Sequence, residues 1–404
     1  MFISYDGLLD PLGQSQILPY IMGIVKHTKP IHVLSFEKNF RFKDNNIALN
    51  TYLKEHEIYW HPLIFTYNKG FLGYIKKIWD FLLMYIFTFF IVIRFQVEII
   101  HARSYLAGLV GLSFKRLFGV KFLFDCRGLW VDERVDKGIW NLQKFTHRWQ
   151  YLFLKYKETS LFQKADQIVV LTKAVIPEIL KIGRMDSNSN ITVIPCCADY
   201  DFFNPLIYAD KLKIRKKIGV SKDSLVLGYL GSVGSMYMID EFLLFFAIAV
   251  KKNFNVVAFI VTPDIEEVKI KINSISYQHL GNKIYIKYAN RNQVPYYLSV
   301  FDIMVSFIKP TYAKIGSSPT KNAEALAMGI PLICNYGVGD LEEFFALINA
   351  GKIIKNTSDE EMIKVVVELY LVKSLGGRKL RDESKKWFSL ELANKKYKNV
   401  YENI

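Results

Sequence analysis

Apolar positions along this 404-residue chain come in short runs separated by longer stretches of helical periodicity. In the first half the runs are MFISYD at the start, IHVLSF at 31–36, EIIHA at 98–102, KFLFD at 121–125 and QIVVLT at 167–172. The second half restarts the pattern with SLVLGYLG at 224–231, NVVAFIV at 255–261, KIYIKYA at 283–289, DIMVSFI at 302–308 and IPLIC at 330–334. Strands alternating with helices predict parallel sheets with crossover connections, α/β throughout. The chain is too long for one ordinary core. Residues 204–222 are polar, basic and interrupted by Pro205, and read as a linker between domains spanning 1–203 and 223–382; a last helical stretch occupies 383–404. Doubly wound sheets would place ligands at the carboxyl ends of their strands.

One run breaks the rhythm. Phe81 to Ile93, FLLMYIFTFFIVI, is continuously apolar between Asp80 and Arg94. It is shorter than the ~20 residues a bilayer-crossing helix needs, so a helix buried against a sheet is expected. The alternative is an interfacial helix with Lys69, Lys76 and Lys77 near lipid headgroups; neither reading is a transmembrane anchor. The first residues enter a buried-strand pattern directly, so no signal peptide is expected.

Composition narrows the partners. A net charge of +15 fits a nucleic acid, a polyanion or an anionic membrane, or is a lysine-rich composition without electrostatic role. No zinc-finger spacing, RNP-like strand or basic tail points to nucleic acid. Aromatic residues at 15% of the chain, interleaved with lysine, point to anionic lipid instead. Cys126, Cys196, Cys197 and Cys334 have neither metal-ligand spacing nor the density of a disulfide scaffold, which fits a reducing cytoplasm.

The most informative stretch is GSSPTKNAEALAMGIPLICNYGVGD, Gly316 to Asp340. Ser318 suits an N-cap, Pro319 the first helical position, and Gly329 the C-terminal cap before Pro331. The free N–H groups of Thr320, Lys321 and Asn322, with the lysine beside them, would bind phosphate, and Glu324 would take ribose hydroxyls. An ordinary capped helix of an α/β domain fits the caps equally well.

That segment resembles the donor-sugar motif of the retaining glycosyltransferase 4 group. Similar signals run through the chain: FISYDGLLDPLGQSQILPYI at its start, IIHARSY at 99–105, FDCRGLWVDERVD at 124–136, ADQIVVLT at 165–172, VIPCCADYDFFNP at 193–205 and LGYLGSVG at 227–234. The resemblance implies GT-B architecture, two Rossmann-like doubly wound domains facing across a cleft, with the C-terminal helix returning to the first. It further implies transfer of a hexose-type sugar from a nucleotide diphosphate donor, with retention, to a lipid-linked or polysaccharide acceptor, on the inner face of the cell membrane.

The donor set implied is Gly231, Ser232, Lys309, Ser317, Ser318, Thr320, Lys321 and Glu324. Two departures from the commonest pattern stand out. The first of two usual glutamates falls on Gly316, and a usual Arg and Lys fall on Ser232 and Tyr237, so Lys309, Lys314 or Lys321 must supply the charge. In the first domain, Gly13 and Gln14 follow the first strand, where a glycine admits close backbone approach, and Arg103 would clamp a phosphate. Asp125, Arg127, Asp132 and Glu133 form one charged loop that faces the ligand or pairs internally, Arg127 with Asp132 or Glu133. Arg127, Asp125 and His101 are the catalytic candidates; Gly13, Gln14, Arg103, Asp132 and Glu133 are the acceptor-binding ones. No cofactor is expected, and no metal, since Asp199-Tyr-Asp201 reads as hinge structure. A non-catalytic nucleotide-sugar-binding subunit and a GT-B epimerase are the rival readings.

Overall fold

Thirteen strands make two parallel sheets in the computed structural model, which describes residues 1–28, 30–66, 71–205, 211–273 and 277–404. In the first sheet these are β1 (Phe2–Ser4), β2 (Ile31–Glu37), β3 (Ile58–Ile64), β4 (Ile99–Arg103), β5 (Lys121–Asp125), β6 (Gln167–Val170) and β7 (Ile191–Val193), in the order β3-β2-β1-β4-β5-β6-β7. The second holds β8 (Leu225–Leu230), β9 (Val256–Val261), β10 (Ile284–Lys287), β11 (Ile303–Ser306), β12 (Leu332–Asn335) and β13 (Gly351–Ile354), in the order β10-β9-β8-β11-β12-β13. The two sheets are Rossmann-like. In each, strand order reverses beside the first strand, between β1 and β4 and between β8 and β11, and the carboxyl ends there are where a doubly wound sheet takes its ligand.

β8 and β9 are buried from end to end, as their unbroken apolar runs require, and β2 is equally buried although His32, Ser35 and Glu37 interrupt it. Register then sets which polar residues meet. Ser4 pairs with Arg103, and Arg103 with Asp125, so three polar side chains line up at the carboxyl edge of the first sheet.

Residues Met1–Pro195 and Ala393–Ile404 form one unit, and Cys196–Leu392 the other. The expected linker therefore lies elsewhere than at 204–222, of which 206–210 are outside the described residues. Tyr200 and Phe203 sit in the second unit's core, and the Lys211–Lys217 helix is tied to the same unit by Arg215, whose guanidinium donates to Asp302 at 2.6 Å. The C-terminal stretch is likewise two helices, Arg378–Phe388 and Leu390–Glu402, broken where the Ala198 backbone pairs with Phe388 and Leu390. The first belongs to the second unit. Most of the second belongs to the first unit, where the Tyr401 hydroxyl lies 2.9 Å from His101 Nδ1.

The apolar run is the clearest correction. It belongs to a 25-residue helix, Phe71–Phe95, of which Ile75–Phe95 is long and apolar enough to cross a membrane. Only 28% of its most apolar window is buried, so it is not the enclosed core helix its length suggested. One narrow stripe, Asp80, Met84, Thr88 and Ile91, packs inward. Lys69 lies outside the described residues.

Candidate functional site

In the second unit, β8 ends at Leu230 and the chain turns at Gly231, whose φ of +122° only glycine adopts without strain. A side chain there would also approach Lys321, since a Cβ would lie 3.8 Å from its Cδ. The following loop returns to β11: Lys309 N–H donates to Met236, Met238 N–H to Phe307, and Tyr237 bridges Ile308. Asn335 at the end of β12 clamps the same backbone, accepting from Ile308 N–H and donating to Ile308 O, both at 2.8 Å. This fixes Tyr237 opposite Tyr229.

Lys321 enters between those two rings. Its ammonium lies 5.2 Å from the Tyr229 ring centre and 4.6 Å from that of Tyr237, removed from solvent and without a hydrogen-bond partner. Burial lowers its pKa from 10.5 to about 8. A buried donor left unpaired is expensive unless a ligand completes it. The ring faces stabilise a cation but accept no conventional hydrogen bond.

The helix that carries it, Thr320–Ala327, begins one residue later than its sequence indicated. Pro319 occupies the cap position, and no side chain caps the helix. Ser318 instead accepts from the Cys196 amide at 3.1 Å, tying this loop to the unit's first residues. Asn322 N–H is bonded to the Pro319 carbonyl, which removes one of the three amides expected to meet a ligand. Ser317 N–H is bonded to Lys314 O, and Lys314 is itself buried. Lys309 is exposed at the end of β11, and the Ser232 carbonyl accepts from the Tyr229 hydroxyl at 2.7 Å.

Glu324 is buried and ion-paired with Arg291, whose guanidinium stacks over Phe202 and Phe203. Burial raises the carboxyl's pKa, and Arg291 opposes that rise. Sequence reasoning missed Arg291. Its signal was the capping box of Asn290 and Gln293, which fixes the turn that carries it.

In the first unit, the cluster built by strand register is real but more enclosed than expected. Asp125 is 1% exposed and lies 3.4 Å from Arg103, 3.4 Å from Arg127 and 3.6 Å from His101 Nε2. Burial alone would raise its pKa, but Arg127, His101 and Arg103 hold it well below the usual carboxylate range. Arg103 is buried rather than presented as an open clamp, and its Nε has no partner. His101 packs against Phe2 and Tyr397, burial lowers its pKa, and it supports Asp125 from behind. Arg127, the most exposed of the four, donates to Gln16 Oε1 at 2.7 Å; Gln16 was not foreseen.

Residues 52–202 match the profile of Glycosyltransferase Family 4. A sequence comparison with curated proteins finds no match. Among solved structures, HepE from Anabaena, in complex with UDP and glucose, is similar with a TM-score of 0.71 at 15% identity, over 100% of this chain and 99% of that one. Sucrose-phosphate synthase from Thermosynechococcus elongatus gives 0.68 at 16% identity, over 99% and 97%. WaaG, a glycosyltransferase involved in lipopolysaccharide biosynthesis, gives 0.65 at 12%, over 99% and 98%. The chain has the GT-B fold, and its residues 52–202 resemble Glycosyltransferase Family 4.

Several expected contacts fall away from the cluster. Gly13 lies inside the Pro11–Gln16 helix, where a Cβ would stand 2.0 Å from Gly7 O, so the close approach it permits is to the chain's own backbone. Gln14 donates weakly to Leu9 O. Asp132 and Glu133 lie on the Trp130–Asp136 helix and pair elsewhere: Asp132 with Tyr151 at 3.0 Å and Lys155 at 2.9 Å, Glu133 with Lys137 at 3.1 Å. Arg127 is ion-paired with Asp125 at 3.4 Å. Asp199 accepts from the amides of Asp201 and Phe202, closing a turn. Among the described residues, no group of three or more His, Cys, Asp or Glu is placed to hold a metal ion.

Proposed function

We propose that this GT-B protein is a retaining hexosyltransferase that moves a sugar from a nucleotide diphosphate donor to the hydroxyl of a lipid-linked or polysaccharide acceptor. The observation that carries the reading is Lys321: a buried ammonium with no hydrogen-bond partner, at the first turn of a helix, beside the glycine that ends β8. A diphosphate there would receive the lysine, the adjoining helix amides and the positive end of the dipole together. It replaces the Arg and Lys that Ser232 and Tyr237 displace, and Tyr237 becomes one wall of the lysine's slot. Structures of HepE contain UDP and UDP-glucose, which makes a UDP-sugar the first donor to test.

The chemistry follows from the leaving group. As the glycosidic bond to the diphosphate breaks, negative charge grows on the phosphate, and a preorganised lysine and helix terminus stabilise it without a metal. The acceptor hydroxyl then attacks from the face the phosphate leaves and gives its proton to that phosphate. Glu324, held by Arg291, is oriented for the ribose hydroxyls. The Asp125, Arg103 and Arg127 cluster serves the acceptor side. The net positive charge, and the role of WaaG in lipopolysaccharide biosynthesis, support an acceptor presented at the inner face of the cell membrane, where this protein would be peripheral.

Incubating the protein with UDP-, GDP- and CMP-sugars and a lipid-linked acceptor tests this. Transfer with the donor's anomeric configuration kept in the product is expected. Inversion in the product overturns the retaining mechanism, and nucleotide binding without transfer to any acceptor makes the chain a binding subunit.

A further inference from the structure

We propose that the outer surface of three helices in the first unit, Phe71–Phe95, Ser104–Phe118 and Phe145–Lys164, inserts into the interface of an anionic lipid bilayer. This deepens the membrane part of the reading above and is independent of the donor site. The three helices form one layer. The first and third both pack on the second, as the right-handed crossovers linking β3, β4, β5 and β6 require.

Two of these helices are inside out. On Phe71–Phe95 the one carboxylate, Asp80, is fully buried, accepting from Tyr5 at 2.9 Å and Thr66 at 2.5 Å, and Thr88 is buried beside it. The opposite face shows Ile78, Leu82, Phe90 and Ile93 to solvent, Phe90 at 63%. On Phe145–Lys164 the one carboxylate, Glu158, is also fully buried, held by Tyr105 and Lys155. Its outer face carries Phe145, Trp149, Leu152, Phe153 and Tyr156, with Phe145 at 82% exposed. These five positions follow helical spacing along a single stripe. Between the two helices, exposed Leu117 and Phe118 close the gap, Phe118 lying 5.9 Å from Phe89. Large apolar side chains gathered on one exposed layer mark an interaction surface.

Charge decides the occupant. Because Asp80 and Glu158 are the only carboxylates in the three helices, no acidic side chain of theirs reaches the surface. Lys77, Arg94, Arg116, Arg148 and Lys164 do, and the Lys157 ammonium lies over the Phe153 and Tyr156 rings. A face that is apolar and basic with no acid repels a second copy of itself but matches anionic headgroups over acyl chains. Crossing is excluded by the same geometry: the Phe71–Phe95 helix has the length of a span, but its Asp80 stripe is committed to the first unit's core. It lies in the interface.

The test is flotation of the full chain with vesicles of phosphatidylcholine and phosphatidylglycerol, followed by a 1 M NaCl wash. The protein should float with them, stay bound through the wash and be released by detergent. The triple variant Phe90→Ser, Trp149→Ser, Phe153→Ser should lower partitioning by about tenfold per residue, while UDP binding stays at the wild-type level. Wild-type protein that binds UDP but does not float overturns the proposal, whereas flotation without UDP binding sinks only the donor reading. Complete release by salt shows that charges alone hold it and also overturns insertion. A wild-type dimer that the variant turns monomeric assigns the face to a second copy instead.

Discussion

Replacing Lys321 by methionine should stabilise the free protein and impair nucleotide binding at once. Burial between Tyr229 and Tyr237 lowers the amine's pKa from 10.5 to about 8. Keeping it protonated in the folded chain at neutral pH therefore costs about 3 kcal/mol relative to the unfolded chain. The two ring faces offset roughly 1–2 kcal/mol of that. Because the folded-state value is the depressed one, the penalty is complete below about pH 8 and disappears as the pH climbs to 10.5. Methionine keeps most of the stem's volume and removes the charge. Lys321→Met should thus unfold a few degrees higher at pH 7, with the gain shrinking toward pH 10. The same variant loses a charge-assisted hydrogen bond to phosphate worth about 1.5–3 kcal/mol, or about 10- to 150-fold in affinity. Titration calorimetry with UDP and with uridine separates the two effects: UDP should lose that factor and uridine almost nothing. Wild-type affinity for UDP should also decline above about pH 8, as the free amine gives up its proton, and the variant's should not. A variant that is less stable than wild type and binds UDP undiminished would refute the assignment.

Three further outcomes test the remaining sites. Glu324→Gln should lower donor affinity by about 1.5–3 kcal/mol and also destabilise the fold, since Arg291 loses its counter-charge; unaltered UDP affinity removes Glu324 from the ribose. Asp125→Asn should cost about 3–5 kcal/mol in urea unfolding, because Arg103 stays buried without its carboxylate. In the wild type this stability is present at neutral pH and is lost on acidification below about pH 5, where the unfolded chain takes up a proton that folded Asp125 resists; a flat stability profile from pH 7 to 3 contradicts the arrangement. Transfer should continue in EDTA, and a strict requirement for Mg²⁺ or Mn²⁺ would return metal chemistry to the site.

Ten of the thirteen strands were legible as apolar runs, and the three that were not, β3, β7 and β13, all lie at sheet edges. Partial solvation left three of the four edge strands without a continuous apolar run, β10 being the exception: β3 mixes buried and exposed positions, and β7 has no fully buried residue. Turn chemistry was legible for a similar local reason. Gly329 adopts the positive φ that its place after the helix called for, because that demand arises within a few residues of backbone.

Features readable from the residues alone were therefore local: the alternation of strands and helices, the two sheets that follow from it, and the residue types gathered at strand ends. Tertiary structure decided partners and faces. Asp132 lay seven residues from Asp125 in sequence, yet joined Tyr151 and Lys155, because a helix begins between them and turns its side chain toward the next helix. Arg291 found Glu324 across 33 residues, a pairing that no local spacing records. The slot around Lys321 needed Tyr229 from one strand and Tyr237 from a loop held by Ile308, and so exists only once β8 and β11 are side by side. The Phe71–Phe95 helix shows the limit most plainly. Its hydrophobicity announced burial, but hydrophobicity is a property of side chains, whereas burial depends on what lies opposite them, and among the described residues most of this helix's apolar window is left uncovered.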